Sequence, residues 1–134
     1  MGSDSDWPIL KPAYELLKKF DIEAEVIVAS AHRTPARVKE IVTTAPERGV
    51  CAFISAAGAA AHLGGVIASY TTLPVIGVPI NATALNGMDA LLSTVQMPSG
   101  IPVATMAVNG AKNAAIFAAQ IFAVHDKGMQ QKME

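Results

Sequence analysis

The sequence predicts a three-layer α/β sandwich, a parallel sheet covered by helices on both faces. Short, unbroken apolar runs (Val50 to Ser55, Leu73 to Val78, Pro102 to Val108) alternate with stretches of helical period. A strand buried on both faces has no reason to alternate polar with apolar, so continuous runs point to a parallel sheet inside helix layers. Charge agrees: between Gly49 and Val124 only Asp89 and Lys112 carry a formal charge.

Taken in order, Trp7 to Phe20 repeats Leu10, Ala13, Tyr14, Leu17 and Phe20 at helical spacing with lysines opposite. Glu23 to Ala29 holds the β-branched run Val26-Ile27-Val28 and is expected to be a strand. Thr34-Pro35 suits the cap and first turn of a helix carrying Val38, Ile41 and Val42, which Pro46 ends or bends. The apolar runs at 50–55 and 73–78 supply the next two strands. A helix is expected from Gly87 to Val95, a strand from Pro102 to Val108 and a last helix from Ala111 to Val124.

The chain has 134 residues, enough for one domain, 1–134, which would keep roughly 6,700 Å² of surface when folded. It is 51% hydrophobic, 16% charged and 5% aromatic, a balance that excludes disorder. His62, Gly64, Pro74, Pro79 and Asn86 interrupt the uncharged region before any stretch could span a membrane. Net charge is −1, and no basic cluster exceeds Lys18-Lys19, so no nucleic-acid footprint is present. The single cysteine, Cys51, lies in an apolar run and is expected to be buried and inert. The start of the chain is polar rather than basic and then apolar, so a cytoplasmic location is expected.

In a three-layer fold of this kind ligands bind beyond the carboxyl ends of the strands. Three segments fall there. Gly2-Ser3-Asp4-Ser5-Asp6 heads the first helix; it could cradle a phosphate or simply cap the helix. Ser30-Ala31-His32-Arg33-Thr34-Pro35 places an arginine able to hold a phosphate beside a histidine able to exchange protons near neutral pH. The small residues Ala56 to Ala61, ending in His62-Leu63, either pack a helix on a strand or make room for a small ligand. His32, His62 and His125 lack zinc-like spacing, so no metal is expected. No nucleophile elbow, Walker loop or dinucleotide fingerprint is present.

Together, Gly2-Ser3-Asp4-Ser5-Asp6, Ser30-Ala31-His32-Arg33-Thr34-Pro35, Ala60-Ala61-His62-Leu63, Leu73-Pro74-Val75-Ile76-Gly77-Val78-Pro79 and Val95-Gln96-Met97-Pro98 resemble the PurE family of purine biosynthesis, in its class I microbial form. The resemblance runs in order along practically the whole chain. It implies a parallel, flavodoxin-like sheet. Family members have a strand before the Gly-Ser segment, where this sequence has Met1, so either the sheet lacks its first strand or the sequence starts part-way along a longer chain. The family activity is N5-carboxyaminoimidazole ribonucleotide mutase, without cofactor. Also implied are a proton shuttle at His32, with His62 as a second proton handler, and phosphate contacts from Arg33, Ser3 and Ser30. Asp6 would take a ribose hydroxyl, and Ala57, Gly58, Ala59 and Leu63 would wall the pocket. The resemblance also implies a homo-octamer, and the nearly uncharged Ala111 to Val124 helix, with Phe117 and Phe122, is expected to be a contact surface. Two other readings stand beside the mutase: a carboxylase using free carbon dioxide, and a nucleotide-binding subunit without catalysis.

Overall fold

The computed structural model describes all residues from Met1 to Glu134. Its sheet has three parallel strands in the order β1 (Phe53–Gly58), β2 (Val75–Ile80), β3 (Ala104–Thr105). β1 pairs with β2 from Phe53↔Val75 to Gly58↔Ile80, and β2 with β3 through Ile76↔Ala104 and Gly77↔Thr105. Parallel neighbours need a crossover, and helices supply both. α3 (Leu63–Ala68) joins β1 to β2, and α4 (Met88–Val95) joins β2 to β3. The remaining helices are α1 (Trp7–Lys19), α2 (Pro35–Thr43), α5 (Ala111–Ala123) and α6 (Lys127–Met133).

Every residue of β2 is buried, as its unbroken apolar run requires. Alternation along the strand separates two cores. Ile76, Val78 and Ile80 pack with Ala13 and Leu17 of α1 and the alanine face of α5. Val75 joins Val38 and Val42 of α2, Leu63 and Ile67 of α3, and Val103. Gly77 lets α4 lie directly on the sheet: a Cβ there would come within 2.5 Å of Thr94 Cγ2 and 2.9 Å of Val103 Cγ1.

Two expectations fail. Glu23 to Ala29 forms no strand. A buried parallel strand needs a neighbour along its length, and this segment meets only Met1: the Met1 amine donates to Ile27 O at 2.9 Å and Ala29 N–H donates to Met1 O at 2.9 Å. The sheet thus has three strands where the run at 26–28 suggested four. Cys51 is exposed rather than buried; it precedes β1 on the side without a strand neighbour, and its thiol donates to Gly49 O at 3.3 Å.

Other differences are local. Thr34 does occupy the position before α2, but its hydroxyl is bound to Ser30 instead of capping the helix. Phe117 and Phe122 are half-buried against the cores; Val124, Val26, Val28 and Tyr70 are more exposed, and a group of exposed apolar side chains, Leu85, Met88, Leu92 and Val95, lies on and before α4. No helix is long and apolar enough to cross a membrane. The accessible surface, 7578 Å², exceeds the roughly 6,700 Å² expected for a folded monomer of this mass.

Candidate active site

Three loops converge at the carboxyl end of β1. The first carries Gly2 to Asp6, and Gly2 N–H donates to Ala56 O at 2.9 Å, laying this loop beside the strand end. The second carries Ser30 to Thr34, where Ser30 N–H donates to Thr34 Oγ1 at 2.9 Å and Arg33 N–H to Ser30 Oγ at 3.2 Å. Arg33 Nη2 then reaches across to Gly2 O at 3.1 Å. The third carries Gly58 to His62. His32 Nε2 and His62 Nδ1 are 2.9 Å apart, closing the circuit between the second loop and the third.

The two imidazoles meet nearly edge to face, with centroids 5.0 Å apart and planes at 87°. One bridging proton serves this contact, donated by whichever ring carries it, so each histidine keeps one outer nitrogen. With both rings neutral, one outer nitrogen is a bare acceptor and the other an N–H donor. Shifting the bridging proton exchanges those roles when a proton enters at one outer nitrogen and leaves from the other. The pair can therefore accept a proton at one place and deliver one at another. Both rings are exposed, as access to a ligand demands.

Ser3 and Asp6 form a capping box around the turn that leads into α1. Ser5 N–H donates to Ser3 Oγ at 3.3 Å, and Ser3 N–H donates to Asp6 Oδ2 at 3.1 Å. The capping role weighed for this segment is thus real, and it leaves the Ser3 hydroxyl partly exposed. Asp6 is only 5% exposed. Burial raises its carboxyl above the usual carboxylate range, while the Ser3 N–H and the nearby Met1 ammonium pull the other way.

The third loop is held rigidly. A Cβ on Gly58 would fall 2.7 Å from Ala82 Cβ, so only glycine fits, and Ala59 sits at φ +52° in the left-handed region. Ser93 Oγ on α4 accepts the Ala61 N–H at 2.9 Å. Sequence reasoning missed Ser93; its one signal is a serine on the same stripe as Ala90 in a short apolar helix. Leu63, next to His62, is 4% exposed and packs into the core, anchoring α3. Ala57 lies half-buried beside Gly2. Gly64 packs closely, with Val103 Cγ1 3.4 Å from where its Cβ would be.

Two hydrogen-bonded histidines, an arginine and hydroxyls, all on loops beyond a parallel strand of an α/β fold, make an arrangement able to exchange protons and hold a small anion. The family model described as AIR carboxylase matches residues 1–134, and the chain belongs to that family, the one named PurE. A relative from Pyrococcus abyssi, named N5-carboxyaminoimidazole ribonucleotide mutase, is 53% identical across 100% of this chain and 77% of its own length. One of the same name from Thermotoga maritima is 52% identical over 100% of this chain and 78% of its own. The crystal structure of Treponema denticola PurE superimposes with a TM-score of 0.87 at 31% identity, over 99% of this chain and 83% of that one.

Proposed function

We propose that this chain is an N5-carboxyaminoimidazole ribonucleotide mutase, an isomerase of purine biosynthesis. It moves a carboxylate from the exocyclic nitrogen to the ring carbon, giving 4-carboxy-5-aminoimidazole ribonucleotide. Full-length similarity to relatives of that name carries the reading. The reaction releases carbon dioxide as the exocyclic nitrogen gains a proton; the ring carbon then attacks carbon dioxide and loses its own proton. Carbon dioxide travels one way and a proton the other, and the His32–His62 pair supports that exchange because it can give and take at separate nitrogens.

In this proposal His32 is the principal proton shuttle and His62 its partner. Arg33, with Ser3 and Ser30, binds the phosphate. Two of the Arg33 nitrogens are engaged, by Gly2 O and Ser30 Oγ, and Nη1 remains for the ligand. Asp6 takes a ribose hydroxyl. Ala57, Gly58 and Ala59 form the wall that retains carbon dioxide, supported by the absence of any space for a larger side chain at Gly58. No cofactor is required. The functional unit is one domain, 1–134, acting in the cytoplasm and assembling as a homo-octamer. The exposed apolar residues of α4 support that assembly.

Incubation with the N-carboxylated ribonucleotide should give the C-carboxylated product above the spontaneous rate. Tight ribonucleotide binding without turnover would overturn the mutase in favour of a binding subunit. A carboxylase reading has its own support: a Saccharomyces cerevisiae relative, 48% identical over this chain but only 24% covered by it, is named phosphoribosylaminoimidazole carboxylase. Rates with carboxylated and uncarboxylated substrate at fixed bicarbonate separate the two.

A further inference from the structure

Asp89 is the only acidic residue between Gly49 and Val124, and the ligand contacts and proton exchange proposed above leave it unused. It lies half-buried in the first turn of α4. Its Oδ2 accepts the Thr83 hydroxyl at 2.8 Å, while Oδ1 is buried without a hydrogen-bond partner. An acid that merely favoured the helix start would keep both oxygens in water or accept first-turn amides. Oδ1 does neither. Desolvating a carboxylate oxygen for the sake of one hydroxyl bond gains little stability, so the bond matters for what it holds in place.

Thr83 belongs to the loop that follows β2. Its Oγ1 also accepts Leu85 N–H at 3.1 Å, so the hydroxyl that reaches Asp89 fixes the loop's own turn as well. At its start the loop is held from the β3 side, where Asn81 N–H donates to Asn109 Oδ1 at 2.9 Å. Between these anchors stands Ala82, whose methyl covers Gly58: a Cβ on Gly58 would fall 2.7 Å from Ala82 Cβ and 3.3 Å from Ile80 O. Gly58 opens the small-residue segment that ends at His62. The other end of that segment is held by the same helix, one turn further on. There the Asp89 carbonyl accepts the Ser93 hydroxyl at 2.7 Å, and Ser93 Oγ accepts Ala61 N–H at 2.9 Å. Helix α4 thus backs segment 58–62 at both ends, through Thr83 and Ala82 at one and through Ser93 at the other.

We propose that Asp89 is a positioning residue, which acts through Thr83 to hold Ala82 against Gly58 and so fixes the wall beside the histidines. The inference rests on the mutase reading, in which this wall keeps carbon dioxide next to the ring carbon. Carbon dioxide forms as the exocyclic N–C bond breaks, leaving the electron pair on the nitrogen, which takes a proton. If the gas escapes, the turnover ends at the uncarboxylated ribonucleotide. If it stays, the ring carbon attacks it and gives up its own proton. Asp89 touches no reacting atom in this scheme, so its effect falls on the partition between the two ends and not on proton transfer.

Thr83→Val removes the hydroxyl at nearly constant volume, Asp89→Ala removes its acceptor, and Thr83→Ser keeps the bond. Each is given the N-carboxylated ribonucleotide, and the ratio of uncarboxylated to C-carboxylated product is corrected for the spontaneous reaction. That ratio should rise about tenfold in Thr83→Val and Asp89→Ala and stay at the parent value in Thr83→Ser. Hydrogen exchange at the Ala59 and Ala61 amides should quicken about tenfold in the same two variants and not in the third. A bond that served only stability would lower the denaturation midpoint and leave the ratio unchanged, and that result overturns the proposal. Unchanged exchange at those amides overturns it too. If Thr83→Val does not fold, Asp89→Ala decides by the same two measurements, since alanine favours the helix. A parent without turnover counts against the mutase reading, and the exchange measurement then decides the role of Asp89 by itself.

Discussion

Arg33 and Gly2, far apart in sequence, are joined by a bond from Nη2 to the glycine carbonyl at 3.1 Å. The arginine thus fixes one ligand loop against another before any ligand arrives. Arg33→Ala removes this tie and, with it, the proposed phosphate contact. The expected result is a KM raised about 10- to 100-fold, the loss of a charge-assisted bond of about 1.5–3 kcal/mol, with a smaller fall in kcat. Steady-state kinetics on the ribonucleotide reads the split. An unchanged KM would remove Arg33 from phosphate binding.

His32→Asn should lower kcat by about 10²- to 10⁴-fold, the usual contribution of a positioned acid or base, while calorimetry still detects ribonucleotide binding. His62→Asn should fall less, because His32 keeps a nitrogen for the substrate. Equal losses in both variants would mean that neither ring works without the bridge between them.

Asp6→Asn separates stability from function. Burial raises the Asp6 carboxyl in the folded state, so the ionised side chain opposes folding. The contribution of this group favours the fold below the ordinary carboxylate range and is lost as pH rises through the raised value. Asparagine keeps an acceptor for Ser3 N–H without the charge. The variant should therefore melt higher than the parent near neutral pH and show little gain in acid, while binding ribonucleotide more weakly. A lower melting temperature at neutral pH would show that the capping geometry, not the charge, dominates.

Ser93→Ala withdraws the acceptor from Ala61 N–H, a residue that is 2% exposed. An unsatisfied buried donor costs about 1–3 kcal/mol, and the loop bearing His62 loses its tether to α4. Both the denaturation midpoint and kcat should drop, and Ser93→Thr should restore part of each. Activity equal to the parent would show that the loop holds its shape without α4.

Gly77→Ala tests the contact of α4 with the sheet. The added methyl overlaps Thr94 and Val103, and overpacking of this kind costs about 1–3 kcal/mol. Chemical denaturation should show that loss with activity per folded molecule little changed, since Gly77 lies away from the histidines.

What could be read before the structure followed from how much physics each residue type carries. β2 is buried along its whole length, so its apolar run had only one sensible reading. His32, Arg33 and Ser30 stood out because reactive side chains were packed together where a helix begins. Segment 22–29 has the composition of a strand, but pairing depends on a neighbour that local composition does not describe. Leu63 adjoins His62 in sequence and points away from it in space, because the start of α3 turns successive side chains to different faces. Ser93 was invisible because a single serine in a helix usually signals nothing.

Cys51 is exposed, unpaired and the sole thiol of the chain. One maleimide or spin label therefore attaches at one known address, two residues before β1. The same protein can carry its own reporter at the amino end of β1, while the histidines at the far end of that strand remain unmodified.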